Sequence, residues 1–196
     1  MRNVHAIAMR ELKHYYTSPI AYVVMSAFML FCGVIFLLLV SQPQATATLD
    51  GLFRNCAILL VMVLPLLTMR LLAGERSGDQ GTWTIELLLS SPLSEWELVL
   101  GNYLGALAYL LTLVVASLVF PVALGQLGDP DWGAMFSGYV GFVMFSGYIL
   151  AFGLFMSALT NSQIVAAILS IVGLLVIWLI RFFSEVPGKW GEALSW

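Results

Sequence analysis

The side chains that could transfer protons, bind metals or form ion pairs are concentrated in two stretches, residues 2–18 and 74–97. Both histidines, His5 and His14, lie in the first stretch, so a Ser–His nucleophile pair has no candidate base elsewhere. The sequence contains neither an HExxH metal helix nor a GxxxxGK[ST] phosphate loop. It therefore predicts no catalytic residue, no metal site, no cofactor and no ATP hydrolysis by this chain.

The two cysteines do not form a recognisable ligand pattern either. Cys32 and Cys56 lie in or beside apolar stretches, without a CxxC spacing or a neighbouring histidine. We expect them to be small apolar residues in helices, neither bridged nor ligating.

The composition of the chain indicates which kind of secondary-structure element its residues form. Of the 196 residues, 61% are hydrophobic and 10% are charged, whereas a soluble domain has roughly 45–50% and about 25%. Charges are absent from residues 20–41, 55–69, 98–128 and 133–180, and a membrane span needs about 20 such residues. The charges lie in the termini and short connections, so a basic face for nucleic acid has nowhere to form, and the net charge of -3 opposes one. The chain is predicted to be a membrane protein.

The charge-free stretches predict an all-α, polytopic membrane protein with one transmembrane domain over residues 1–196. Ser94 and Glu97 form the S-x-x-E capping box that starts the third span. Gly101 and Gly105 have the small-xxx-small spacing of helix packing. The five predicted spans are about 20–40, 52–73, 97–124, 135–159 and 164–183.

A cytoplasmic N-terminus gives the better distribution of basic residues, because translocated short loops tend to lack them. This orientation places three basic residues on the outer side of the membrane: Arg54, Arg181 and Lys189. Five then lie on the cytoplasmic side: Arg2, Arg10, Lys13, Arg70 and Arg76.

Residues 2–18 form an amphipathic pattern that predicts an interfacial helix on membrane lipids, with a leader of no fixed orientation as the alternative. Arg2, Arg10 and Lys13 fall on the polar side, and Glu11 interrupts the apolar side. The apolar side consists of Val4, Ile7, Ala8, Leu12, Tyr15 and Tyr16.

Residues 74–96 form the longest cytoplasmic connection. Ile85, Leu88 and Leu89 share a helical face there, so we expect a short amphipathic helix docked on a partner or on the membrane. A solvated linker is the alternative.

Several motifs in the sequence resemble those of ABC-2 type transporter permease subunits, in the branch of gliding motility and copper-enzyme maturation. They extend over nearly the whole chain: REL at 10–12, SPIAY at 18–22, PLLTMRLLAGER at 65–76, GT at 81–82, ELL at 86–88, SPLS at 91–94, VLG at 99–101, GDPDW at 128–132 and LTNSQ at 159–163.

The resemblance implies a cytoplasmic coupling helix that docks on a separate ABC ATPase, which binds the ATP. It also implies a second permease copy, identical or different, and export across a bacterial cytoplasmic (inner) membrane. Family members usually have six spans, so a truncation before a sixth helix is favoured over a shortened subunit. The implied ATPase-coupling residues are Glu75, Arg76, Gly81, Thr82, Ile85, Glu86, Leu88 and Leu89.

The alternative function is a non-transporting membrane anchor or assembly factor that docks a cytoplasmic partner. A channel would need a polar lining that the predicted spans do not offer.

Overall fold

The structure is a computed structural model that describes residues 2–41, 48–69, 94–128 and 130–184. This part of the chain is 91% helical and contains no strand, which confirms the all-α prediction. Its helices are α1 (Arg2–Thr17), α2 (Pro19–Val40), α3 (Asp50–Thr68), α4 (Glu95–Ser117), α5 (Val119–Leu127), α6 (Trp132–Leu159) and α7 (Gln163–Ser184).

Five segments of these helices are long and apolar enough to cross a membrane, as the charge-free stretches predicted. The chain is therefore a multi-pass membrane protein. The fourth segment is the whole of α6, Trp132–Leu159, and the polar cluster at residues 160–162 connects it to α7. The other four are Ala21–Val40, Asp50–Thr68, Trp96–Leu127 and Gln163–Ile180.

The third span consists of two helices, because α4 ends at Ser117 and α5 continues to Leu127. The sequence pattern ended this span at about residue 124. Pro121 has no N–H group, so it cannot bond to the carbonyl of Ser117, four residues earlier. The Tyr139 hydroxyl of α6 donates to that carbonyl at 2.9 Å. A neighbouring helix thus satisfies the backbone acceptor that proline leaves free, as an apolar environment requires.

Replacing Tyr139 by phenylalanine is expected to lower the free energy of unfolding by about 1 kcal/mol, because the Ser117 carbonyl loses its donor. Denaturant unfolding of the purified protein in detergent measures the change. In a Pro121→Ala background the helix supplies an N–H group at position 121, so Tyr139→Phe should then have little effect. An equal loss in both backgrounds would contradict the explanation.

Close contacts between helices fix their relative directions. Leu39 of α2 lies against Gly51 of α3, close to the connection between them, and further along Cys32 lies beside Cys56, so these two helices are antiparallel. Phe53 and Thr68 of α3 lie against Gly138 and Gly153 of α6, respectively, so α3 and α6 are parallel. The buried side chains between these helices form one apolar core.

The two cysteines belong to this core. Cys32 is 1% exposed and Cys56 is 2% exposed, and both thiols are free. They fill space between α2 and α3 as small apolar side chains.

Candidate functional site

The N-terminal helix α1 packs along the first half of α4, and the two helices run parallel. Their contacts recur about once per helical turn on both helices. The Asn3 side-chain amide donates to the Glu97 carboxylate at 3.3 Å. Further along come contacts of Ile7 with Gly101 and of Glu11 with Gly105, and then the stacked rings of Tyr15 and Tyr109.

The close approach of α1 and α4 depends on two glycines of α4. A Cβ atom at Gly101 would lie 2.6 Å from the Cβ atom of Ile7. A Cβ atom at Gly105 would lie 2.6 Å from the Cβ atom of Glu11 and 3.0 Å from the Ala8 carbonyl oxygen. Helix packing was predicted for both glycines from their spacing, and the helix they contact is α1.

The apolar side of α1 is the face that was predicted to lie on the membrane surface. In the structure, α4 covers part of it, and Ile7 and Tyr15 are buried. Tyr16 differs from the pattern, because it is 40% exposed, and its ring meets the Tyr109 ring in a T-shaped contact with centroids 6.3 Å apart. Glu11 does not disrupt the face, since its stem lies over Gly105 while its carboxylate accepts a bond from Arg10 at 2.9 Å.

The start of α4 has the capping box that the sequence indicated. The Ser94 hydroxyl accepts a bond from the Glu97 N–H, and the Glu97 carboxylate accepts one from the Ser94 N–H, both at 3.3 Å. Such a box satisfies two backbone donors that a helix start leaves open. The same carboxylate oxygen accepts from Asn3, so Glu97 joins the start of α4 to α1.

The end of α3 is held by side chains from two other helices. The Leu67 carbonyl accepts a bond from the Tyr15 hydroxyl of α1 at 3.3 Å. The Met69 carbonyl accepts one from the Ser157 hydroxyl of α6 at 3.4 Å. These carbonyls belong to the last turn, where a helix offers no N–H partner of its own. Tertiary contacts therefore fix where the chain leaves α3.

Two contacts of α1 lie at the two ends of the connection between α3 and α4. Tyr15 meets the end of α3 and Asn3 meets the start of α4, so one helix holds both ends of this connection. We call these two contacts the anchor points. In the sequence, the predicted coupling residues come after Leu67 and before Glu97, outside the residues that the structure describes: Glu75, Arg76, Gly81, Thr82, Ile85, Glu86, Leu88 and Leu89.

Sequence reasoning missed the polar contacts at the anchor points. Asn3 and Tyr109 were given no role. A usable signal was present at Tyr109, because a tyrosine hydroxyl within an apolar stretch needs an acceptor. The sequence does not show which carbonyl that acceptor is.

Five apolar spans, with α1 packed along the start of the third, define the class of the protein as a helical, multi-pass membrane protein. The family model described as ABC-2 family transporter protein matches residues 6–195, and the chain belongs to this family. It is a membrane permease subunit of an ABC transporter, a class that works with a cytoplasmic ABC ATPase and is generally not catalytic itself. No curated protein matches the sequence.

Proposed function

We propose that this permease couples ATP hydrolysis by a separate ABC ATPase to export of a substrate across the bacterial cytoplasmic membrane. The connection between α3 and α4 receives the movement of the ATPase. The observation that carries the proposal is the pair of anchor points, Asn3 with Glu97 and Tyr15 with Leu67. A force on the connection would reach α1, α3 and α4 together.

The distribution of charge supports an energy source outside this chain. Ion-coupled transporters normally place ionisable residues inside their spans. The sequence has no charged residue at 55–69, 98–128 or 133–180, which make up most of the apolar length. A movement imposed by a partner needs no such residue, because packed helices can shift against one another as rigid bodies.

In this proposal the connection contains a short coupling helix. Glu75, Arg76 and Glu86 supply polar contacts to the ATPase, and Ile85, Leu88 and Leu89 supply an apolar face. Gly81 and Thr82 precede that face. The permease itself binds no cofactor, and ATP is bound by the partner.

We further propose that the protein lies in the inner membrane with its N-terminus on the cytoplasmic side. The exposed Arg10 and Lys13 of α1 then lie near anionic lipid head groups. A second permease copy, identical or different, would pair with this one. In the most apolar stretches of α2 and α7, 17% and 22% of the residues are buried, against 44% in the other three spans. These two helices therefore offer the most apolar residues to lipid or to that copy. The mass of the purified complex tests the pairing.

The coupling role is tested by purifying the permease with its ATPase and measuring ATP turnover. Glu86→Ala is expected to reduce the stimulation of turnover by the permease about fivefold, equivalent to about 1 kcal/mol of lost contact. Glu75→Ala is expected to act in the same direction.

Asp50→Ala is the matched control, because Asp50 is an exposed carboxylate in the first turn of α3, at the opposite end from the connection. It should leave turnover unchanged. Absence of an ATPase from the purified complex would contradict the proposal and favour a membrane anchor. So would Glu75→Ala and Glu86→Ala variants that behave like Asp50→Ala.

A further inference from the structure

Two stacked tyrosines lie where four helices meet. The rings of Tyr15 in α1 and Tyr109 in α4 are 5.0 Å apart at their centroids and 16° from parallel. Both side chains are buried, at 7% and 2% exposure. The Tyr109 hydroxyl donates to the Ala21 carbonyl of α2 at 2.6 Å, and the Tyr15 hydroxyl donates to the Leu67 carbonyl of α3. One aromatic pair thus contacts α1, α2, α3 and α4.

The positions of these contacts along the helices decide which movements the pair can transmit. Leu67 lies in the last turn of α3, directly before the connection, and Tyr109 lies on the helix that follows it. Ala21 lies in the first turn of α2. The pair therefore links both sides of the connection to the start of the first span.

The contact with α2 is directional. Apolar side chains pack with little dependence on angle, whereas a hydrogen bond to one carbonyl weakens steeply when its length or angle changes. Burial strengthens such a bond, because the surroundings have a low dielectric constant. The bond from Tyr109 to Ala21 consequently gives α2 a preferred axial position against α4, which apolar packing alone defines less sharply.

We propose that the Tyr15–Tyr109 pair is a positioning element that makes α2 follow α4 when the ATPase displaces the connection. Tyr109 is the residue that holds α2, and Tyr15 holds Tyr109 in place by stacking. The inference rests on the proposed function and adds the residues through which movement reaches the first span.

The test measures two distances in the complex of permease and ATPase by spin labelling, without nucleotide and with ATP and vanadate. Cysteines replace the exposed Leu100 of α4 and Leu30 of α2, each paired with a reference cysteine at Ile168 of α7. A sample without added cysteines corrects for labelling of Cys32 and Cys56, which are buried.

Tyr109→Phe removes only the hydroxyl and keeps the stacked ring. Tyr103→Phe is the matched control, because Tyr103 is also on α4 and its hydroxyl donates to the Gly147 carbonyl of α6 at 3.3 Å. In the wild type, nucleotide trapping should change both distances. In Tyr109→Phe the α4 distance should change as before, while the change at α2 falls to less than half. Tyr103→Phe should resemble the wild type.

The inference is overturned if α2 still follows α4 fully in Tyr109→Phe, or if Tyr103→Phe loses the α2 movement equally. If the α4 distance does not change in the wild type, the proposed function fails, and this inference fails with it. Should Tyr109→Phe not be recovered folded, Tyr15→Leu replaces it. That variant removes the stacked ring and should also reduce the α2 movement to less than half, and an undiminished movement would overturn the inference.

Discussion

Replacing Gly105 by leucine is expected to displace α1 from α4 and to lower the free energy of unfolding by about 3 kcal/mol. Even the Cβ atom of the new leucine would lie 2.6 Å from the Cβ atom of Glu11 and 3.0 Å from the Ala8 carbonyl oxygen. Neither atom is the end of a flexible side chain, so the whole of α1 must move. The higher helix propensity of leucine offsets about 1 kcal/mol of this cost.

Denaturant unfolding in detergent measures the stability, and limited trypsin cleavage after Lys13 measures the release of α1. Gly141→Leu is the matched control, because a Cβ atom at Gly141 of α6 would have no atom of another described helix within 4 Å. The control should be neutral or stabilising. Equal stability of the two variants, with α1 still protected, would show that the close approach at Gly105 is not needed.

Replacing Gly153 by alanine is expected to lower the free energy of unfolding by about 2 kcal/mol. The new methyl group would overlap the Thr68 hydroxyl oxygen and lie 3.0 Å from the Thr68 Cβ atom. Thr68 is completely buried at the end of α3, where its hydroxyl donates to the Pro65 carbonyl at 3.2 Å. The threonine therefore has no solvent-facing direction in which to move, and the end of α3 must shift.

A double-mutant cycle tests this contact. Thr68→Ala removes the overlapping hydroxyl at the cost of its own hydrogen bond, so the double variant should lose less stability than the sum of the single variants, by about 1 kcal/mol. Gly141→Ala on the same helix controls for the change of residue type. Strict additivity would show that Gly153 and Thr68 do not compete for the same space.

The membrane-spanning character was predictable because it depends on where charges are absent, and that is a property of the sequence alone. The capping of α4 was equally local, since Ser94 and Glu97 are three residues apart. Long-range partners were not predictable in the same way. The spacing of Gly101 and Gly105 indicates a smooth helix surface but does not indicate which helix lies on it.

The apolar side of α1 shows the same limit. An amphipathic pattern measures only which side avoids water, and a lipid surface or another helix satisfies it equally. The contact near Pro121 is only half predictable. The proline indicates that the Ser117 carbonyl lacks its helical donor, but the sequence does not show that Tyr139 of another helix donates to it.

The pairing of α1 with α4 has a consequence for synthesis of the chain. Glu97 follows its partner Asn3 by 94 residues. At rates of translation of roughly 5–20 residues per second, α1 waits about 5–19 s before that part of α4 has been made. During this interval the apolar side of α1 must pack against something other than α4, and the membrane interface lies next to it. Photo-crosslinking of ribosome-bound chains that end before residue 95 would detect that transient cover as lipid attached to α1.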